Sequence, residues 1–416
     1  MKRRRLTKVF CVFICVLWCF TSFLLLNRTN GNQVPDAFPK RITDNWDREK
    51  KPPKINSSKS SSTFERKDVE AETNVQTKRY DHANIDLSET TFVNNNGPSP
   101  VIILTYMRSG SSFLGEIFQA NPQTFYWFEP VHELWGAYNN KKKVFDFQDG
   151  TNRTFKTFLD LAVPTIKNMS MCNLESIPVD ALREQFISKS KQMTEFVKCR
   201  GYKEKGKATN KKLIKCLPKL TEKCLQSKHI VLKTIRISMK SLEFILEKIP
   251  TLKVIHLMRD PRGTSRSQKA VGQLSKHYRE EISYFCKQVL QDIIDKEILE
   301  NKYPGRIRTV FYEDVANSPL AYSKTLYQYL GMNFTSEVEK SIFQFTLAGK
   351  SGPKKCGILC TQMANSSSEA SAWRSEINME LVKIVDSACS DLYVKVGYKF
   401  IPSEKLLRDK TFKLRE

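Results

Sequence analysis

Short apolar runs alternate with stretches of helical periodicity between residues 100 and 330 of this chain. Val101-Ile102-Ile103-Leu104 reads as a buried strand, and Phe113, Leu114, Ile117 and Phe118 recur at helical spacing just beyond it. Thr124–Phe128 predicts a second strand ending at Glu129-Pro130; His229–Lys233 and Leu252–Leu257 predict two more, with the helix-periodic segment Met239–Ile249 between them. Arg306–Tyr312 predicts another strand, followed by a helix from about Pro319 to Leu330. Strands that alternate with helices imply parallel pairing with both sheet faces covered. Ligands then belong at the carboxyl ends of the strands.

The amino-terminal pattern is different. Lys2, Arg3, Arg4, Arg5 and Lys8 precede an uncharged, mostly apolar run from Val9 to Leu26. That combination predicts a membrane-spanning signal-anchor over residues 9–26, with residues 1–8 in the cytosol and the bulk of the chain in a lumen. A cleaved signal peptide competes, but the run is long for one and no small-residue cleavage site ends it. Residues 27–98 are polar, with Lys51-Pro52-Pro53 and a serine-rich run from Ser57 to Ser62, and read as a disordered stem. Gly97-Pro98-Ser99-Pro100 punctuates its end. A globular domain is expected over 99–402, then a tail over 403–416.

Luminal placement makes two further patterns coherent. Glycosylation sequons stand at Asn56, Asn152, Asn168, Asn333 and Asn365, and one at Asn27 lies close to the membrane. Cys11, Cys15 and Cys19 fall in the span, which leaves Cys172, Cys199, Cys216, Cys224, Cys286, Cys356, Cys360 and Cys389 as an even set for disulfides. Their spacing selects no connectivity. No repeated C-x-x-C spacing points to zinc.

The formal net charge of +24 falls only to +19 when the five basic residues of the amino-terminal flank are set aside. In a lumen this favours acidic glycans and nucleotide-type donors over nucleic acid. Part of the excess lies between Lys198 and Lys228, where Glu204 and Glu222 are the acidic residues. That run reads equally as a solvated, disulfide-pinned surface or as a groove wall for a polyanionic acceptor.

The candidate chemistry begins at Arg108-Ser109-Gly110-Ser111-Ser112. A strand, a short Gly/Ser turn and a helix start aim backbone N–H groups at an anion, and Arg108 adds a planar cation. A serine-capped helix start is the plain alternative. A nucleoside-triphosphatase loop would need G-x-x-x-x-G-K-[ST], which disfavours a kinase or ATPase. A second strand end carries Arg259-Asp260-Pro261-Arg262, with Ser265, Arg266 and Ser267 behind it. Two such sites on one sheet suit a ligand phosphorylated at both ends, whereas Arg259–Arg262 alone would pass as a salt-bridged turn.

Together these segments resemble the Golgi carbohydrate 6-O-sulfotransferases, which act on galactose, N-acetylgalactosamine or N-acetylglucosamine. TYMRSGSSF from Thr105 resembles the family's 5′-phosphosulfate loop, and VIHLMRDPRGTSRS from Val254 its 3′-phosphate element. FEPVHELW from Phe128, LKTIRI from Leu232, FYEDVANSP from Phe311 and AWR from Ala372 follow in the family's order. The resemblance covers about residues 100–400. It implies a sulfotransferase fold, a P-loop-like parallel α/β sheet flanked by helices. It also implies 3′-phosphoadenosine-5′-phosphosulfate as co-substrate, no metal, a glycan or proteoglycan acceptor, and a single-pass type II anchor in the Golgi membrane. Oligomeric state stays open.

Site roles follow from the same resemblance. Arg108, with the N–H groups of Ser109, Gly110, Ser111, Ser112 and Phe113, would hold the 5′-phosphosulfate. Arg259 and Ser267 would hold the 3′-phosphate, and Tyr312 would lie on the adenine side. Lys233 matches a lysine near the transferring group, and Arg236 would support the sulfate or acceptor. Cytosolic relatives place a His shortly after that lysine, where Ile235 stands here. Glycan-modifying relatives use a carboxylate on the segment after the loop's helix. Glu129 is therefore the candidate base, activated if burial raises its pKa, with His132 second and a structural salt bridge as the alternative. Related chains carry a His one position beyond His132, where Glu133 stands. A catalytically silent Golgi glycan-binding protein is the competing function, and a luminal kinase the competing enzyme.

Overall fold

The computed structural model describes residues 97–201, 208–349, 361 and 363–416. The expected span at 9–26, the stem up to residue 96, the sequons at Asn27 and Asn56, and Cys356 and Cys360 lie outside them. Among the described residues no helix is long and apolar enough to cross a membrane.

The frame is a five-stranded parallel sheet: β1 (Ser99–Leu104), β2 (Thr124–Phe128), β5 (His229–Thr234), β6 (Lys253–Met258) and β7 (Ile307–Phe311), in the order β2-β5-β1-β6-β7. A separate antiparallel pair joins β3 (Val144–Asp146) and β4 (Asn152–Thr154). The strands form because their apolar runs find cover on both faces. Ile102 and Leu104 of β1 join Phe125, Trp127, Leu232 and Val254 on one side. Val101 and Ile103 join Tyr126, Phe128, Val231, Ile255 and Leu257 on the other. That alternation is the two-residue period of a strand.

Register aligns the strand ends. Leu104 pairs with Thr234, Phe128 with Lys233 and Met258 with Phe311, so the carboxyl ends of all five strands finish near one level. A third apolar cluster lies beyond the sheet, where the long helix Tyr278–Lys302 meets Trp373, Leu381, Val385 and Tyr393. The helix at Pro319–Leu330 has the expected bounds and ends on Gly331 in the left-handed region. Tyr312, expected to close the last strand, instead begins the short helix Tyr312–Asn317.

Three disulfides stand among the described cysteines: Cys172–Cys224, Cys199–Cys216 and Cys286–Cys389. The first two pin the Asn210–Gln226 helix of the long insertion, and the third ties the Tyr278–Lys302 helix to the carboxyl-terminal helices. Residues 403–416, expected as a tail, are packed in place. Arg374, itself buried, donates to the carbonyl oxygens of Leu406 (2.8 Å), Leu407 (2.9 Å) and Phe412 (3.1 Å), and Leu407 is fully enclosed. Four or more N–H donors in one planar fork let a single arginine organise a segment that has little apolar pattern of its own.

Candidate functional site

Each parallel strand delivers one candidate residue at its carboxyl end. Beyond β1 stands Arg108, beyond β2 Glu129, on β5 Lys233 with Arg236 just after, beyond β6 Arg259, and after β7 Tyr312. Residues separated by two hundred positions converge because a parallel sheet puts all these ends on one edge.

The loop after β1 is tightly shaped. Arg108 and Gly110 both take positive φ, 67° and 84°, and the Ser111–Gln119 helix starts directly after Gly110. A Cβ on Gly110 would stand 2.2 Å from the Tyr312 ring, so only glycine leaves room for that ring beneath the turn. Arg259 holds the loop from the other side, its Nη1 donating to the Arg108 carbonyl oxygen at 3.1 Å. Arg108 Nε donates to Ser267 Oγ at 3.0 Å, and Gln268 Nε2 donates to the Met107 carbonyl at 3.1 Å. Arg108, Arg259 and Ser267, read in sequence as two separate phosphate sites, are thus in direct contact.

This donor set fits a doubly phosphorylated anion. Arg259 Nε and the hydroxyls of Ser109 and Ser265 are buried without a hydrogen-bond partner among the described residues. Burial and the neighbouring Arg259 both lower the Arg108 pKa, so an anion bound between the two guanidiniums would relieve their repulsion. The Pro261–Ala270 helix adds its amino terminus, capped by Asp260 Oδ1, which accepts from the Arg262 N–H at 2.9 Å and Arg262 Nε at 3.0 Å. Tyr312 is buried: its ring packs edge-on to Phe113 and lies 4.7 Å from the Arg259 guanidinium.

The second half of the site is charged and enclosed. Glu129, another residue at positive φ (47°), is only 6% exposed. Its Oε1 accepts from Lys233 Nζ, and its Oε2 accepts from Arg236 Nη2 at 3.1 Å. The expected rise in its pKa is corrected here. Burial does push the carboxyl up, but Lys233 and Arg236 together hold it below the ordinary carboxylate range. The salt bridge weighed in sequence is therefore present, and the carboxylate is ionised. Burial lowers the Lys233 ammonium, Glu129 lifts it, and Arg236 and Arg108 add to the lowering. Lys233 Nζ also sits 4.2 Å over the Phe128 ring, and the Arg236 guanidinium 4.7 Å over Trp135.

His132 opens the next helix, His132–Asn139, and its N–H bonds the Glu129 carbonyl oxygen at 3.0 Å. Its ring rests on Phe186 (4.9 Å), with Nδ1 3.4 Å from Glu184 Oε2. Glu184 also accepts from the Glu133 N–H at 2.8 Å and the Phe186 N–H at 3.0 Å. Ligand atoms of His132, Glu133 and Glu184 lie within 4.8 Å of one another, and each Glu184 oxygen also accepts one backbone N–H.

A supporting network escaped the sequence reading. The His256 Nε2–H and Tyr106 Oη meet at 2.7 Å, Tyr106 Oη–H donates to Asp292 Oδ2 at 2.9 Å, and the Met239 N–H donates to Asp292 Oδ1 at 2.8 Å. Burial holds His256 neutral, its pKa lowered to about 3. The network joins the segments that carry Arg108, Arg259 and Lys233. The signal available in sequence was a lone His inside an apolar strand and an Asp on the apolar side of a long helix, and neither points to the other.

Residues 100–336 match the Sulfotransferase family. Carbohydrate sulfotransferase 1 of Danio rerio is 26% identical over 78% of this chain and 83% of its own length. Carbohydrate sulfotransferase 3 of Homo sapiens is 28% identical over 76% and 70%, and human carbohydrate sulfotransferase 5 is 25% identical over 76% and 81%. A solved mouse sulfotransferase complexed with PAP overlaps loosely, at a TM-score of 0.36 and 11% identity over 75% of this chain and 89% of that one.

Proposed function

The chain belongs to the sulfotransferase family, and we propose that it moves a sulfuryl group from 3′-phosphoadenosine-5′-phosphosulfate to the 6-hydroxyl of a galactose, N-acetylgalactosamine or N-acetylglucosamine residue in a glycan. The observation that carries this reading is the contact of Arg108, Arg259 and Ser267 at the ends of β1 and β6, next to the enclosed Glu129–Lys233–Arg236 group. Carbohydrate sulfotransferase relatives support a sugar acceptor. A keratan- or chondroitin-type chain suits the basic surface.

In the proposed reaction the acceptor oxygen attacks sulfur, a new S–O bond forms, and the S–O bond to the 5′-phosphate breaks. Arg108 and the N–H groups of Ser109 to Phe113 hold the 5′-phosphosulfate and take up charge growing on the departing phosphate oxygen. Arg259 and Ser267 hold the 3′-phosphate, with the adenine on the Tyr312 side. Lys233 turns from Glu129 toward the transferring group once that negative charge arrives. Its departure removes one of the two cations that depress Glu129, whose carboxylate then accepts the acceptor's proton. His132, next to Glu129, is the alternative base. Positioning and charge stabilisation supply most of the rate, as in phosphoryl transfer.

We place the enzyme in the Golgi membrane as a single-pass type II protein. The basic flank and apolar run of residues 2–26, the luminal sequons and the three disulfides support that setting. The test is incubation of the protein with labelled donor and a panel of desulfated glycans, followed by mapping of the labelled sugar and carbon. Label at C6 of one of the three sugars is expected. Label on another carbon, or donor binding without transfer to any glycan, would overturn the reading.

A further inference from the structure

The Asn210–Gln226 helix buries Leu213, Cys216, Leu217, Leu220 and Cys224 and turns a lysine ladder outward. Lys211, Lys215, Lys219 and Lys223 follow one another at i,i+4 spacing, and all four are exposed. Among the described residues none of the four has a carboxylate within ion-pair distance. Neighbouring like charges at this spacing destabilise a helix, so the ladder carries a standing repulsion. Two disulfides and the Thr209 cap on the Lys212 N–H hold the helix against it. The neighbouring Thr194–Arg200 helix pairs its own Glu195 with Lys198. Between Lys211 and Lys223 the helix rises about 18 Å.

The ladder's helix is packed through one intervening turn onto the segment that carries His132. Arg200 donates to the carbonyl oxygens of Leu182 (2.7 Å) and Glu184 (3.0 Å), and the Glu184 carboxylate faces His132. The turn at Val179–Arg183 packs between the Asn210–Gln226 helix and the His132–Asn139 helix. We propose that the Lys211–Lys223 ladder is a docking surface for the polyanionic part of a glycan chain whose reacting sugar lies at Glu129 and His132. The inference rests on the glycan-transfer reading above and assigns it a surface outside the reacting centre. Exposed lysines suit this partner: each offers a point charge that tolerates variable sulfate and carboxylate spacing along a chain.

The test uses the full-length protein in detergent, eluted by a salt gradient from immobilised chondroitin sulfate. The variants are Lys215→Gln/Lys219→Gln/Lys223→Gln and, with the same change in net charge elsewhere, Lys324→Gln/Lys340→Gln/Lys383→Gln. The ladder variant should elute at clearly lower salt than the control variant, and its KM for a chondroitin chain should rise about tenfold. Its turnover of the isolated disaccharide should stay within about twofold, because that substrate does not reach the ladder. Equal elution of the two variants would reduce the effect to net charge and overturn the inference. Retention that depends on the ladder, with no turnover of any glycan, would instead uphold the surface and sink the transfer reading.

Discussion

Glu129 sits between Lys233 and Arg236, a geometry with separate consequences for proton transfer and for folding. As a base it is ionised but weak until one cation leaves; as a buried anion it neutralises two charges that would otherwise be stranded. Glu129→Gln keeps the shape and removes the charge. It should lower kcat about 10²–10⁴-fold, the usual worth of a positioned base, and also lower the thermal midpoint. Steady-state kinetics well below that midpoint separate the two effects. Unchanged kcat in the folded variant would leave Glu129 a purely structural anion and move the base to His132. Arg108→Ala removes a group with a different duty, and transfer should fall about 10²–10³-fold with only a small change in stability. The positive φ of Arg108 and Glu129 could not be read in sequence, since neither is a glycine or asparagine. Strain of this kind is held by the surrounding contacts, here by Arg259, Lys233 and Arg236.

At the scale of elements, local pattern and long-range contact part company. β1, β2, β5 and β6 were legible because short apolar runs, Val101–Leu104, Phe125–Phe128, Ile230–Leu232 and Val254–Met258 broken only by His256, have few other uses. The Pro319–Leu330 helix was legible through its Pro start and Gly stop. The Tyr106–His256–Asp292 network was not, because its members are 150 and 186 positions apart and each looks unremarkable alone. Its contribution is measurable. Tyr106→Phe leaves His256 Nε2 and Asp292 Oδ2 without that hydroxyl in a dry interior, and the protein should lose about 1–3 kcal/mol of stability. Denaturant unfolding should show a lower midpoint with an unchanged slope. An unaltered midpoint would mean that the network does not brace the β1, β5 and β6 loops.

At the scale of the whole molecule, charge governs both stability and encounter. Glu313 is buried beside Asp260, whose N–H it accepts at 2.9 Å, and burial and Asp260 raise its pKa to about 7. Its proton is therefore bound more tightly in the folded state than in the unfolded one. The stability it lends is fully present below about 4.5, the ordinary value, and is lost as pH rises through about 7. Glu313→Gln, which mimics the protonated form, should remove that decline, a difference on the order of 3 kcal/mol at pH 8. Thermal midpoints of the two proteins that run parallel from pH 5 to 8 would contradict it. The net charge of +24 pointed correctly to a basic surface, but only the structure shows that the Asn210–Gln226 helix turns four lysines of it outward. The central claim, that Arg108 and its neighbours serve sulfuryl transfer to a glycan, is tested most directly by following label from 3′-phosphoadenosine-5′-[³⁵S]phosphosulfate onto a desulfated glycan, with wild type and Arg108→Ala side by side. The account predicts label on the sugar with wild type and its near-complete loss with the variant. Equal labelling by both, or no labelling by a wild type that binds the donor, would contradict it.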